Sequence, residues 1–181
     1  MAACSTMSGT GKTQQSTAPA ATLVPQNYEH AISAIKTGKT KEAEKLFTDI
    51  TETNPGFSNA HTNLGLLYLN NKQIDKAEDS LRKAISLNPE DSVAYNHLGI
   101  VLREKGKFTE SKAMYLQAIK HNSEYAIAYL NLGILYDLYL QELNDALVQY
   151  KQYQSMTNNN DKLVDKWIID LEHRIKSESK G

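Results

Sequence analysis

The dipeptide Leu-Gly stands at Leu64-Gly65, Leu98-Gly99 and Leu132-Gly133, each copy 34 residues after the last. A fixed period of that length marks a stacked repeat fold, in which each unit buries its apolar face only against its neighbours. Such a chain is all-helical or solenoidal before any other feature is considered. The period also points toward binding and away from most catalytic architectures.

The residues around the dipeptide describe helical hairpins. In the unit at 58–91, His61, Leu64, Gly65 and Tyr68 share one helical face, and Asn70-Asn71-Lys72 breaks it. Ala77, Leu81 and Ala84 mark a second helix that stops at Asn88-Pro89, because proline disfavours helix in the residue before it. The unit at 92–125 repeats this with Tyr95, Leu98, Gly99 and Leu102, a turn at Gly106, then Ser111, Tyr115 and Ala118. The unit at 126–160 has Tyr129, Leu132, Gly133 and Tyr136, then Ala146, Tyr150 and Tyr153 one residue late, which implies one inserted residue around 140–144. Counting back from Pro55 gives a first unit at 24–57 with Ala43, Phe47 and Ile50, in which His30-Ala31 replaces Leu-Gly. An atypical terminal repeat is expected of a stack. Leu163, Val164, Trp167, Ile168, Leu171 and Ile175 form one stripe over 161–176, read as a capping helix started by Asp161 after Asn158-Asn159-Asn160. Residues 177–181 read as a disordered tail.

These residues resemble the tetratricopeptide repeat family over about 24–160. The resemblance implies an all-α superhelix of four helical hairpins, with a concave groove lined by the first helix of each. Three glycines at one register cost about 1 kcal/mol each in a helix, so close approach of a neighbouring helix is the expected reason for them. Ala43, Ala77, Ser111 and Ala146 are the small residues expected to permit that approach, with Tyr68, Tyr95, Tyr129 and Tyr136 filling larger gaps.

The family binds peptides or proteins in the groove, and its groove positions fall here on Asn59, Thr62, Asn63, Leu66 and Asn70. In the next unit they fall on Val93, Asn96, His97, Ile100 and Arg103, and in the last on Ile127, Leu130, Asn131, Ile134 and Asp137. Asn63, His97 and Asn131 share one register and suit hydrogen bonds to an extended backbone. Leu66, Ile100 and Ile134 lie almost a turn later and suit the floors of apolar pockets. One family subclass grips the C-terminal carboxylate of chaperones with Lys, Asn and Arg. The matching positions here are Tyr28, Ile32, Asn63, Val93 and His97, and only Asn63 fits.

Twenty basic residues nearly balance twenty-one acidic ones, for a net charge of −1, and no basic stripe of the kind nucleic acid requires is present. No apolar run reaches the length of a membrane span. The five histidines, His30, His61, His97, His121 and His173, form no ligand motif with Cys, Asp or Glu, so neither a metal nor another cofactor is expected. Gly9-Thr10-Gly11-Lys12-Thr13 resembles a phosphate loop, but Thr6 stands where that loop needs glycine. Glu42, Glu44, Glu78 and Asp79 read as a solvated outer face.

The single cysteine, Cys4, follows Ala2-Ala3 and precedes Ser5, as in the lipid-accepting motif of bacterial lipoproteins. On that reading a signal segment is missing before it and Met1 is an added start. Residues 1–23 then form a flexible Ser/Thr/Ala-rich tether, its residues 5–22 spanning about 25 Å as a random coil. The sequence thus leads to a non-enzymatic scaffold that binds a protein or extended peptide in its groove. The expected setting is the outer membrane facing the periplasm, in an envelope assembly system of pilus or secretion type. The alternatives are a cytosolic adaptor and, further off, a small-molecule binder or enzyme.

Overall fold

The structure, a computed structural model, describes Pro25 and residues 27–178. Cys4 and the expected tether lie outside the described residues. Four antiparallel hairpins follow one another: α1 (Tyr28–Lys36) with α2 (Thr40–Thr53), α3 (Ser58–Asn70) with α4 (Ile74–Leu87), α5 (Ser92–Glu104) with α6 (Phe108–His121), and α7 (Ala126–Leu135) with α8 (Leu143–Met156). A last helix, α9 (Lys162–Glu178), closes the described chain, so Ser177 and Glu178 are helical and not part of a tail. Every helix packs on the next. The first helices α3, α5 and α7 also touch one another, while the second helices make no comparable contact. The stack therefore curves as an α-solenoid with first helices on the inner side.

Each hairpin turn is closed the same way. Gly38, Lys72, Gly106 and Gln141 are left-handed, with φ of 72°, 59°, 73° and 56°. The next amide in the first three turns donates back five residues: Lys39 to Ala34 (2.9 Å), Gln73 to Tyr68 (2.8 Å) and Lys107 to Leu102 (2.9 Å). In the fourth, Glu142 reaches back six, to Tyr136 (2.9 Å). The inserted residue thus sits before the turn and not within 141–144: it widens the end of α7 into a π-helical turn over Tyr136–Leu140. Asn54, Asn88 and Asn122 end α2, α4 and α6, the last two in extended conformations, whether or not proline follows. Asn88 and Asn122 also accept from Glu90 and Glu124 N–H through their side chains, at 3.2 and 3.0 Å.

The glycine register is explained by large side chains as well as small ones. A Cβ on Gly65 would lie 2.5 Å from Leu81 Cγ, one on Gly99 2.5 Å from Tyr115 Cε1, and one on Gly133 2.6 Å from Tyr150 Cδ1. Each of these residues lies one turn after the small residue of its helix. Ser111 confirms the small partner in the third repeat, donating to the Gly99 carbonyl at 2.7 Å. The side chains over the glycines are therefore Leu81, Tyr115 and Tyr150. Tyr95 stacks on His121 (5.4 Å, 7°), and Tyr129 donates to the Ser123 carbonyl (3.1 Å). In the first repeat Ala31 replaces the glycine and is fully buried near Phe47.

The far end is covered by α9. Asp161 caps it, accepting from Leu163 and Val164 N–H at 3.0 and 3.2 Å. Val164 and Leu171 are buried, and Trp167 tilts against Tyr150 at 5.5 Å. Gln154 donates to the Asp161 carbonyl (2.7 Å) and to the Asp165 carboxylate. No helix among the described residues is long and apolar enough to cross a membrane.

Candidate functional site: the face of the first helices

The first helices α3, α5 and α7 carry charge only at the end of α5, in Arg103 and Glu104. Residues 58–70, 92–102 and 126–135 hold no Asp, Glu, Lys or Arg. Their open positions are apolar or amide: Val93 and Ile127 share one register and are 36% and 43% exposed, and Asn59 and Asn70 are exposed. Asn63, His97 and Asn131 run along the middle and are half-exposed. Leu66, Ile100, Leu130 and Ile134 are half-buried, packed at the edge of the core.

Three residues expected on this surface are interior instead. Thr62 is buried and donates to Asp91 Oδ2 at 2.7 Å. Asn96, at the same register one repeat on, has no exposed surface and donates to the Tyr125 hydroxyl at 3.5 Å. These two bonds tie a first helix to the residue that precedes the next first helix, at equivalent places, since Asp91 and Tyr125 also share a register. Asp137 is 9% exposed because Arg174 of α9 lies over it, with Nη1 2.7 Å from Oδ1. The Tyr150 hydroxyl reaches the other oxygen at 3.5 Å. Burial and the Asp137 charge together raise the Tyr150 pKa. A residue one position along a helix turns by about 100°, enough to carry position 62 or 96 from the open face into the seam between first helices.

A second set of bonds runs back across the seam. Asn63 Nδ2 donates to the Asn59 carbonyl (2.7 Å) and the Tyr28 hydroxyl (3.2 Å). Asn131 Nδ2 donates to Asn96 Oδ1 (2.9 Å). His97 departs from this pattern: its Nδ1 lies 2.8 Å from the Val93 carbonyl of its own helix. Burial holds the His97 pKa below its ordinary value, with Asp91 pulling weakly the other way. Arg103 stands at the far end of α5, its guanidinium 5.7 Å from the centre of the Tyr139 ring.

Asp91 and Tyr28 were not among the expected groove residues, yet they anchor this seam. The signal for Asp91 was present as a break in the pattern: its register holds Phe57 and Tyr125 in the neighbouring repeats. Asp91 also caps α5, accepting from Ala94 N–H at 2.9 Å. Among the described residues no three His, Cys, Asp or Glu side chains gather as metal ligands.

Three family matches cover this region, described as tetratricopeptide repeat at 58–91, tetratricopeptide repeat at 80–113 and TPR repeat at 101–138. No curated protein sequence matches the chain significantly. Among solved structures, MamA superposes with a TM-score of 0.64 at 19% identity, over 83% of this chain and 97% of that one. PilF of Pseudomonas aeruginosa gives 0.73 at 20% identity, over 82% and 67%. The first TPR of Spaghetti (RPAP3), bound to the HSP90 peptide SRMEEVD, gives 0.62 at 18% identity, over 66% and 93%. At these identities the likeness is one of fold. Together with the glycine register, the repeated turn closure and the stacked first helices, the matches show that the chain belongs to the tetratricopeptide repeat family.

Proposed function

We propose that this chain is a non-enzymatic scaffold that holds an extended segment of a partner protein against its first helices. One observation carries the reading: a charge-free face spans three repeats, with exposed Val93 and Ile127 beside the half-exposed row Asn63, His97 and Asn131. An apolar patch rimmed by amides marks an interaction surface, and a register that repeats every 34 residues suits a partner that is itself extended. The test is selection of binders from a phage-displayed peptide library on the full chain, followed by Val93→Gln with Ile127→Gln. The double variant should weaken selected peptides about fivefold or more, given roughly 1–3 kcal/mol for two partly buried apolar contacts. Asp79→Ala with Lys83→Ala, on the outer face of α4, should leave them unchanged. Loss of binding in the outer-face variant alone would refute the groove.

The finer setting belongs to the same proposal: an envelope-associated assembly factor tethered to the outer membrane through lipid on Cys4. It is supported by the Ala2-Ala3-Cys4-Ser5 motif ahead of a Ser/Thr/Ala-rich stretch. Metabolic labelling of the full-length gene product with a lipid precursor tests it. Label on the wild type that vanishes in Cys4→Ser is expected, and an unlabelled wild type would favour a cytosolic adaptor.

A further inference from the structure

We propose that the groove selects a basic segment: an extended peptide that lays a Lys or Arg side chain across the row Asn63, His97 and Asn131, beside Asp91. The inference rests on the groove-binding reading above and adds the sign of the partner's charge.

Hydrogen bonding fixes which way the row faces. The carbonyl of Asn59 can only accept, so the Asn63 nitrogen must face it, at 2.7 Å. Asn63 Oδ1 then points away and has no partner among the described residues. His97 Nδ1, 2.8 Å from the Val93 carbonyl, must carry the ring proton for the same reason. The neutral ring therefore leaves Nε2 as a lone-pair acceptor. Asn131 spends Nδ2 on Asn96 Oδ1 at 2.9 Å and likewise leaves Oδ1. Three repeats thus present acceptors in one line, and the matching occupant supplies donors.

Charge points the same way. Asp91 accepts from Thr62 Oγ1 at 2.7 Å and from Ala94 N–H at 2.9 Å, and it forms no ion pair among the described residues. It lies close enough to bear electrostatically on Tyr28, His97 and Tyr125, which belong to the repeats on either side of its own. Along α5 itself the nearest charge of opposite sign is Arg103. It lies twelve residues on, about 18 Å along the helix, beyond the screening length of about 8 Å at physiological salt. Arg174 is already paired with Asp137. An ammonium or guanidinium donates charge-assisted hydrogen bonds to such acceptors, which are shorter and stronger than neutral ones. A carboxylate there would face lone pairs and another carboxylate.

The peptides selected from the displayed library should be enriched in Lys and Arg over Asp and Glu. Enrichment in acidic residues, or no charge bias among peptides that do bind the groove, would overturn this inference and leave the groove reading standing. Failure to select any groove binder would overturn both. The second arm is Asp91→Asn, which keeps the shape, the bond to Thr62 and an equally good helix cap. It should weaken a selected basic peptide about fivefold, as expected for a partly exposed ion pair, with an unchanged melting temperature. Replacing the peptide's basic residue by Gln should weaken binding to the wild type by the same factor and leave binding to Asp91→Asn nearly unaltered. Equal losses on both proteins would also overturn it.

Discussion

The packing of α5 on α6 makes a sharp prediction about Gly99. Replacing it by alanine improves helix propensity by about 1 kcal/mol. The new Cβ, however, would lie 2.5 Å from Tyr115 Cε1 and 2.7 Å from Cδ1, far inside contact distance. Tyr115 has no exposed surface, and Ser111 Oγ already holds the Gly99 carbonyl at 2.7 Å. Neither the ring nor the backbone has room to yield, so overpacking of roughly 2–3 kcal/mol is expected. The net loss is then about 1–2 kcal/mol, or a fall of about 2–8 °C in melting temperature for a chain of this size. Gly56→Ala is the control: nothing lies within 4 Å of its Cβ and its φ is not positive. That variant should be neutral or gain about 0.4–1 kcal/mol. Urea unfolding of the two variants beside the wild type decides the matter. A Gly99→Ala protein as stable as the wild type would refute the close-approach account of the repeated glycine.

Three further outcomes are expected. Lys72→Gly should stabilise by about 1 kcal/mol, because Lys72 holds φ 59° where Gly38 and Gly106 stand in sister turns; unchanged urea midpoints would contradict this. Tyr115→Phe should be neutral or stabilising by up to about 1 kcal/mol, since the buried hydroxyl has no hydrogen-bond partner among the described residues, and a loss of stability by calorimetry would show that it has one. Burial holds His61 and His97 below their ordinary pKa, so the unfolded chain takes up protons that the folded chain resists. Stability should thus be full above about pH 6.5 and fall as the pH drops through that value. Glu78, whose pKa is lowered chiefly by the bond from Lys105, adds a separate loss only below the ordinary carboxylate range. Melting temperatures at pH 7 and pH 5 should differ for the wild type and less so for His97→Asn; equal values in the wild type would sink the assignment.

The helices and their pairing were legible because their determinants are local and periodic. Leu-Gly, the small residue and the large residue a turn later recur with the repeat, and Asn-Pro or Asn alone stops α2, α4 and α6. The interior of the candidate site was not legible in the same way. Helices α3, α5 and α7 are covered on two sides, by their own partner and by each other, so polarity no longer predicts exposure. Asn96 looks like a surface amide in sequence and is closed to solvent, while Asn63, one register position over, is open. The place of the inserted residue was equally hidden, since a late register after the turn fits an extra residue anywhere before it. Its lodging in a π turn leaves Leu138 and Tyr139 at 64% and 44% exposure, which no periodic reading places there.

The cover that α9 lays over the fourth repeat has a counterpart in time. The Asp137–Arg174 pair, the Trp167–Tyr150 contact and the Gln154 bonds tie three elements together at that end. At the other end nine-residue α1 rests mainly on α2, with Ile35 37% exposed. A stack in which each unit depends on its neighbours opens from its weaker end. Amide exchange should therefore run as a gradient, fastest in α1 and slowing toward α7 and α8, so that Tyr28 lets go of Asn63 before any other rung of the seam is released.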